Sequence, residues 1–137
     1  MPDNVFVDSN IFIYAKVKSQ DPTKHLCAKN FLRTLDEQVF ISVQVLNEFY
    51  NTLVRIGIDD HTIQNSLKDI MQSTQTQSIS KSTVQRCWKL RIKNKYSYYD
   101  SLILASAIES ECKTLYTEDM QHEQVIDGKL KILNPFL

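Results

Sequence analysis

The sequence predicts a three-layer α/β/α domain with a central parallel sheet of four or five strands. Short runs rich in β-branched and aromatic residues alternate with longer stretches of helical periodicity, the pattern of a parallel sheet covered on both faces. Gly57 and Gly128 are the only glycines in 137 residues, which disfavours an all-β fold stitched by glycine turns. The length suits one compact domain, and a composition of 42% hydrophobic and 23% charged residues argues against global disorder.

Val5-Phe6-Val7 reads as a buried strand ending at Asp8. A helix follows from Ser9 or Asn10 through Lys16. Asp21-Pro22 is an N-cap followed by proline at the first helical position. That helix runs to about Leu35, with Leu26, Phe31 and Leu35 on its inner face. Val39-Phe40-Ile41 is the second strand. Ser42 caps a long helix with an apolar stripe of Val45, Leu46, Phe49, Leu53 and Ile56, closed by Gly57. Asp59 or Asp60 starts another helix, with Ile63, Leu67, Ile70 and Met71 inward. The polar stretch from Ser73 to Ser80 leaves room for a short strand near Ile79. Ser80 or Ser82 then caps a basic helix whose inner stripe is Val84, Cys87, Trp88 and Ile92. The helix from Tyr98 to about Cys112 is apolar nearly all round, so it is expected to be largely buried. Thr114 to Tyr116 is a strand, and Leu130 to Leu133 is the last one.

Several function classes fall away on residue content. Two distant glycines can form neither a G-x-x-x-x-G-K-[ST] phosphate loop nor a G-x-G-x-x-G dinucleotide loop. Cys27, Cys87 and Cys112 are too far apart for a C-x-x-C element. Their odd number fits a reducing, cytoplasmic setting with buried apolar thiols. His25, His61 and His122 form no zinc-ligand spacing. No run resembles a signal peptide or approaches the ~20 apolar residues of a membrane span, so no membrane association is expected.

The formal net charge is zero but unevenly spread. Lys81, Arg86, Lys89, Arg91, Lys93 and Lys95 follow one another with no acid between Asp69 and Asp100. Such a strip is either an anion-binding face or a solvated helix surface.

Sites in parallel sheets form beyond the carboxyl ends of the strands. Asp8 ends the first strand, and Asp119 follows the strand at Leu115. Glu48 lies about two turns into the helix after the second strand, and Asp100 opens the apolar helix. Taken singly, each has a structural explanation. Asp8 and Asp119 can cap helical turns, Asp100 suits a helix N-terminus, and Glu48 shares a polar face with Asn47 and Asn51. Taken together, four converging carboxylates repel one another by roughly 1 to 4 kcal/mol per close pair. Protonation or a bound cation relieves that, and an all-oxygen set suits Mg2+ or Mn2+ better than zinc.

At these residues the chain resembles a known family. Val5 to Ala15 (VFVDSNIFIYA) looks like the first motif of PIN-domain ribonucleases. Ser42 to Asn51 (SVQVLNEFYN) is similar to the segment carrying the family's glutamate. Tyr99 to Ala107 (YDSLILASA) resembles the third motif, and Leu115 to Asp119 (LYTED) the fourth, T-x-D. The order is that of the family, and the nearest relatives in style are bacterial VapC-type toxins, whose antitoxin partners block the active site.

The resemblance implies a single PIN-like nuclease domain over residues 1–137 that hydrolyses RNA with Mg2+ or Mn2+. Asp8, Glu48, Asp100 and Asp119 would be both catalytic residues and ligands of one or two metals. Asn10 and Thr117 would shape the site or hold water, with the Ser9 hydroxyl also pointing inward. An antitoxin protein and a homodimer are the implied partners. The basic strip, with Lys89, Lys93 and Lys95 as its outward cations and Tyr96, Tyr98 and Tyr99 beside Asp100, could guide single-stranded RNA by phosphate contact and stacking, unless the tyrosines simply pack. Ser101 stands where many relatives have alanine, and Met120-Gln121-His122 lacks the aromatic residue often found there. That leaves Glu118, His122 and Glu123 without assigned roles.

Three rivals remain in view. A haloacid-dehalogenase-like phosphatase needs D-x-D, but the third position here is Asn10. A receiver-type module needs an acidic pair that is missing, although Lys113 could serve as its lysine. A non-catalytic RNA-binding PIN-like domain is separated from the enzyme by a metal-dependent cleavage assay.

Overall fold

A computed structural model describes residues 3–137 of the chain. Six strands form one sheet: β1 (Asn4–Val7), β2 (Gln38–Ser42), β3 (Gln75–Gln77), β4 (Thr114–Tyr116), β5 (Val125–Ile126) and β6 (Leu130–Leu133), in the order β3-β2-β1-β4-β6-β5. Six helices connect them: α1 (Ser9–Lys16), α2 (Pro22–Thr34), α3 (Val43–Ile56), α4 (Asp60–Ser73), α5 (Lys81–Asn94) and α6 (Tyr98–Glu109). All pairings are parallel except β5 with β6. The α/β class with a central, mostly parallel sheet is therefore as expected.

β1 is central and its Val5, Phe6 and Val7 are buried. It pairs with β2 on one side (Phe6 opposite Phe40) and β4 on the other (Phe6 opposite Leu115). The chain leaves β1 toward β2, and β4 is added later on the opposite flank. The carboxyl end of β1 is thus a switch point in strand order, where open α/β sheets form clefts. Capping fixes the helix starts there: Asp8 caps α1, Ser42 caps α3 and Ser97 caps α6, each accepting from a backbone N–H. Gly57 ends α3 at φ 101, a left-handed conformation suited to glycine.

The strand count exceeds the expected four or five. The extra strand, β5, has two residues, too few for a periodicity signal. Its turn was nevertheless written in the sequence. Asp127 and Gly128 have φ of 52 and 66, and Lys129 N–H donates to Ile126 O at 3.0 Å. This is the Asp-Gly turn that favours hairpins. β3 lies at Gln75–Gln77 rather than near Ile79. As an edge strand it contributes backbone pairing with β2 and needs no apolar side chains.

Three helix faces also differ. The buried stripe of α5 is Thr83, Cys87 and Leu90, whereas Trp88 is 52% and Ile92 80% exposed. The capping box between Ser80 and Thr83 turns the Thr83 side chain into the protein and so sets the rotation of the helix. Leu26 and Met71, expected inward on α2 and α4, are exposed. α6 is buried continuously from Ser101 to Ala107, as its all-round apolarity predicted.

Candidate active site

The site is built on the hydroxyl of Thr117, which is fully buried just past β4. A hydroxyl has one donor and two acceptor positions, and all three are used. Thr117 Oγ1 donates to Asp8 Oδ2 at 2.8 Å, accepts from Asn10 Nδ2 at 3.2 Å and accepts from the Asp119 N–H at 3.1 Å. Asn10 Nδ2 also donates to Asp119 Oδ2 at 2.9 Å. Ser9 contributes its backbone N–H, which donates to Asp8 Oδ1 at 2.7 Å. One hydroxyl and one carboxamide therefore set the positions of two carboxylates from opposite ends of the chain.

Asp100 joins them from the first turn of α6, its N–H donating to Ser97 Oγ at 3.2 Å. Oxygens of Asp8, Asp100 and Asp119 lie within 4.8 Å of one another. Glu48 is not among these three. It projects from α3 beside them, half-buried, with its Oε1 shielded from solvent and lacking a hydrogen-bond partner. Asn10 Oδ1 is likewise buried without a partner.

Burial pushes the Asp8 carboxyl from its ordinary 3.8 up to about 7. The Thr117 hydroxyl and the Ser9 N–H oppose the rise, while the charges of Glu48 and Asp119 add to it. Glu48 is raised by burial, opposed by the Gln44 amide and reinforced by Asp100 and Asp119. Asp100 is raised by burial, with Asp119 adding and Ser97 opposing.

These shifts make stability depend on pH. Between about pH 4 and 7 the folded protein holds a proton on Asp8 that the unfolded chain has released. The Asp8 contribution to stability is therefore fully present below about pH 4 and is lost as pH rises through about 7, by up to about 4 kcal/mol without metal. The metal-free melting temperature of Asp8→Asn relative to wild type is expected to be more favourable at pH 8 than at pH 5. Equal differences at the two pH values would contradict this.

Sequence reasoning missed one charged pair at the site's edge. Lys24 Nζ meets Glu118 Oε1 at 2.6 Å and lies 5.1 Å from the Tyr14 ring centroid and 5.4 Å from that of Phe136. The pair ties α2 to the segment carrying Thr117 and Asp119. Its partners are 94 residues apart, so no local pattern announces it. His122 Nδ1 accepts from the Asn134 N–H at 2.9 Å and Glu123 adopts φ 71, both features of the turn into β5.

The basic strip is displayed on α5. Lys89 and Lys95 are exposed, and Lys95 is the helix C-cap at φ 62. Lys93 is exposed but pairs with Asp127 at 2.7 Å. Tyr96 is half-buried, its hydroxyl donating to Gln124 Oε1 and accepting from the Gln121 N–H at 3.0 Å, so it braces the chain before β5. A cavity of about 380 Å3 lies along α5, lined in part by Arg86, Lys89 and Lys93. A second, of about 370 Å3, opens beside Glu48.

No helix among the described residues is long and apolar enough to cross a membrane. Cys27, Cys87 and Cys112 are free, the last two buried.

Among curated proteins, no sequence matches the chain. Solved structures share its architecture. A toxin–antitoxin complex from Klebsiella pneumoniae superposes with a TM-score of 0.70 at 22% identity, covering 96% of this chain and 97% of that one. VapBC2 of Rickettsia felis, bound to a DNA fragment from its promoter, gives 0.68 at 20% identity over 96% and 98% of the two chains. VapC20 of Mycobacterium tuberculosis, a toxin that cleaves the sarcin–ricin loop, gives 0.69 at 16% identity over 81% and 86%. These likenesses concern the fold. The sequence itself matches the PIN domain over residues 5–127, and with that span the chain belongs to the PIN domain family.

Proposed function

We propose that the chain is a Mg2+- or Mn2+-dependent endoribonuclease that hydrolyses RNA phosphodiester bonds, the toxin of a type II toxin–antitoxin pair. The observation that carries the reading is the convergence of Asp8, Asp100 and Asp119 within 4.8 Å on a PIN-domain frame. Carboxylates so close, one raised to about 7, are a poor arrangement for a metal-free protein at neutral pH. The two unpartnered buried acceptors, Asn10 Oδ1 and Glu48 Oε1, add to an all-oxygen donor set that fits a hard divalent cation.

In this reading Asp8, Asp100 and Asp119 hold the cation, and Glu48 adds its charge from α3. Such an ion, when bound, offsets the negative charge that develops on the phosphate and acidifies water. The chain's own part is positional. Thr117 holds Asp8 and the Asp119 backbone, Asn10 orients the Asp119 carboxylate, and Ser9 fixes the second Asp8 oxygen. No side-chain nucleophile is needed, and neither histidine nor cysteine lies in the cluster.

The toxin–antitoxin complex and the VapBC2 structure with the same fold support an antitoxin protein as partner. A homodimer as the toxin's own state is part of the same proposal. The test of function is cleavage of single-stranded RNA by the purified chain in Mn2+ against excess chelator. Its companion is co-expression with the product of the adjacent gene. Metal-dependent cleavage that the co-expressed protein suppresses is the expected result. Cleavage unaffected by chelator would refute the metal role, and a partner that leaves cleavage untouched would refute the toxin reading.

The basic strip gives a second prediction. Lys89→Glu with Lys95→Glu is expected to weaken RNA binding and lower the salt slope by roughly 0.7 for each phosphate no longer neutralised. Lys93→Glu alone is expected to do less, because Lys93 is already paired with Asp127. RNA affinity measured against salt concentration checks both. Equal slopes in all variants would make the strip a solvated face.

A further inference from the structure

The geometry points to the cavity beside Glu48 as a nucleobase subsite that reads one base next to the scissile phosphate. This deepens the endoribonuclease reading and rests on it. The cavity lies along one face of α3. Gln44, Glu48, Asn51 and Arg55 recur at spacings of four, three and four residues, with Asn47 beside them. The opposite face, with Val45, Phe49 and Leu53, is buried, so the orientation of the polar face is fixed by the core. Tyr99, from α6, also lines the cavity; the residue is 59% exposed and its ring stands at 90° to that of Tyr98.

The chemistry of this lining is unusual for a surface helix. Three of its residues are carboxamides, each carrying both donors and an acceptor. Base edges likewise combine donors and acceptors, whereas phosphates only accept. Single-stranded RNA is read by hydrogen bonds to base edges with the base stacked on an aromatic ring. Tyr99 can supply the stack, and Gln44, Asn47 and Asn51 the edge contacts. Arg55 lies about 10 Å along the helix from Glu48 and places a cation where the next phosphate would fall. Glu48 joins the two regions. It lines the cavity, and its charge acts on the Asp8 carboxyl. Tyr99 is adjacent in sequence to Asp100, which binds the subsite to the carboxylate cluster by construction. The volume of about 370 Å3 is at the small end of ordinary ligand sites.

The experiment uses sets of short oligoribonucleotides with one position fixed as A, C, G or U. Binding is measured in Ca2+, and cleavage ends are mapped in Mn2+. Wild type, Asn47→Ala/Asn51→Ala, Tyr99→Leu and Tyr99→Phe are compared. These positions are exposed, so folding is expected to hold. Wild type should prefer one base at one position by fivefold or more, falling below about twofold in the double variant. Tyr99→Leu should weaken binding of every base about tenfold, and Tyr99→Phe by less than about twofold. Absence of a wild-type preference, its survival in the double variant, or wild-type binding by Tyr99→Leu would each overturn the subsite. So would variants that lose only antitoxin binding, which would make this face a protein contact. Base-selective binding in Ca2+ with no cutting in Mn2+ would support the subsite while refuting the nuclease reading.

Discussion

Asp119→Asn and Asp100→Asn are each expected to reduce RNA cleavage by about a thousandfold or more. Both substitutions keep the side-chain shape and remove one negative charge from the cluster. Asn at position 119 can still accept from Asn10 through its carbonyl oxygen. At position 100 the bond to Ser97 comes from the backbone and survives. Melting temperatures should therefore stay within a few degrees of wild type. Asp8→Asn should be as inactive, but it is a less clean probe. Both Asp8 oxygens accept hydrogen bonds, from Ser9 N–H and the Thr117 hydroxyl. An amide group there would turn a donor toward Thr117, whose two acceptor positions already serve Asn10 and Asp119. Initial rates on a labelled RNA, with circular dichroism melts in parallel, decide the matter. Retention of more than a tenth of the activity by Asp119→Asn would contradict the assignment.

The largest effect on stability is expected from Phe49→Ala. Phe49 is 1% exposed and belongs to the core cluster with Leu53 and Ile63. Truncating a buried phenylalanine costs about 3–5 kcal/mol, against a total of about 5–15 kcal/mol for an ordinary domain. Phe49 seats α3 together with Val45 and Leu53, and α3 also carries its neighbour Glu48. Loss of activity at 37 °C should therefore accompany the loss of stability, with partial recovery on cooling. Urea unfolding monitored at Trp88 measures it. A midpoint unchanged from wild type would show that α3 is held by other contacts.

The core strands and the acids at their ends were legible in the sequence because both follow from local pattern. Val5-Phe6-Val7 is buried on both faces of the sheet and so reads as an unbroken apolar run. Asp8 follows it directly, and parallel sheets make clefts at strand ends. Glu48 was harder. Helical spacing places it with Asn47 and Asn51 on a polar face, and periodicity does not distinguish a face open to solvent from one beside a crevice. Half-burial and the unpartnered Oε1 separate the two. The inward face of α5 was misread for a related reason. Trp88 and Ile92 are more hydrophobic than Thr83, yet the capping geometry at Ser80 decided which side turned inward. Lys24 with Glu118 lay beyond any local pattern, because a salt bridge across 94 residues exists only once α2 and β4 have packed. The basic neighbours make Tyr96, Tyr98 and Tyr99 equal stacking candidates in the sequence, and the structure separates Tyr96 from them. The Tyr96 hydroxyl is engaged with Gln121 and Gln124, and the more exposed Tyr99 lines the cavity beside Glu48.

The most direct test of the carboxylate cluster is a paired Mn2+ titration, with binding followed by calorimetry and single-turnover RNA cleavage followed on the same preparation. Binding and cleavage are expected to rise over one concentration range, and both are expected to fail in Asp119→Asn. Saturable Mn2+ binding in Asp119→Asn equal to wild type, or full cleavage before any Mn2+ is bound, would contradict the account.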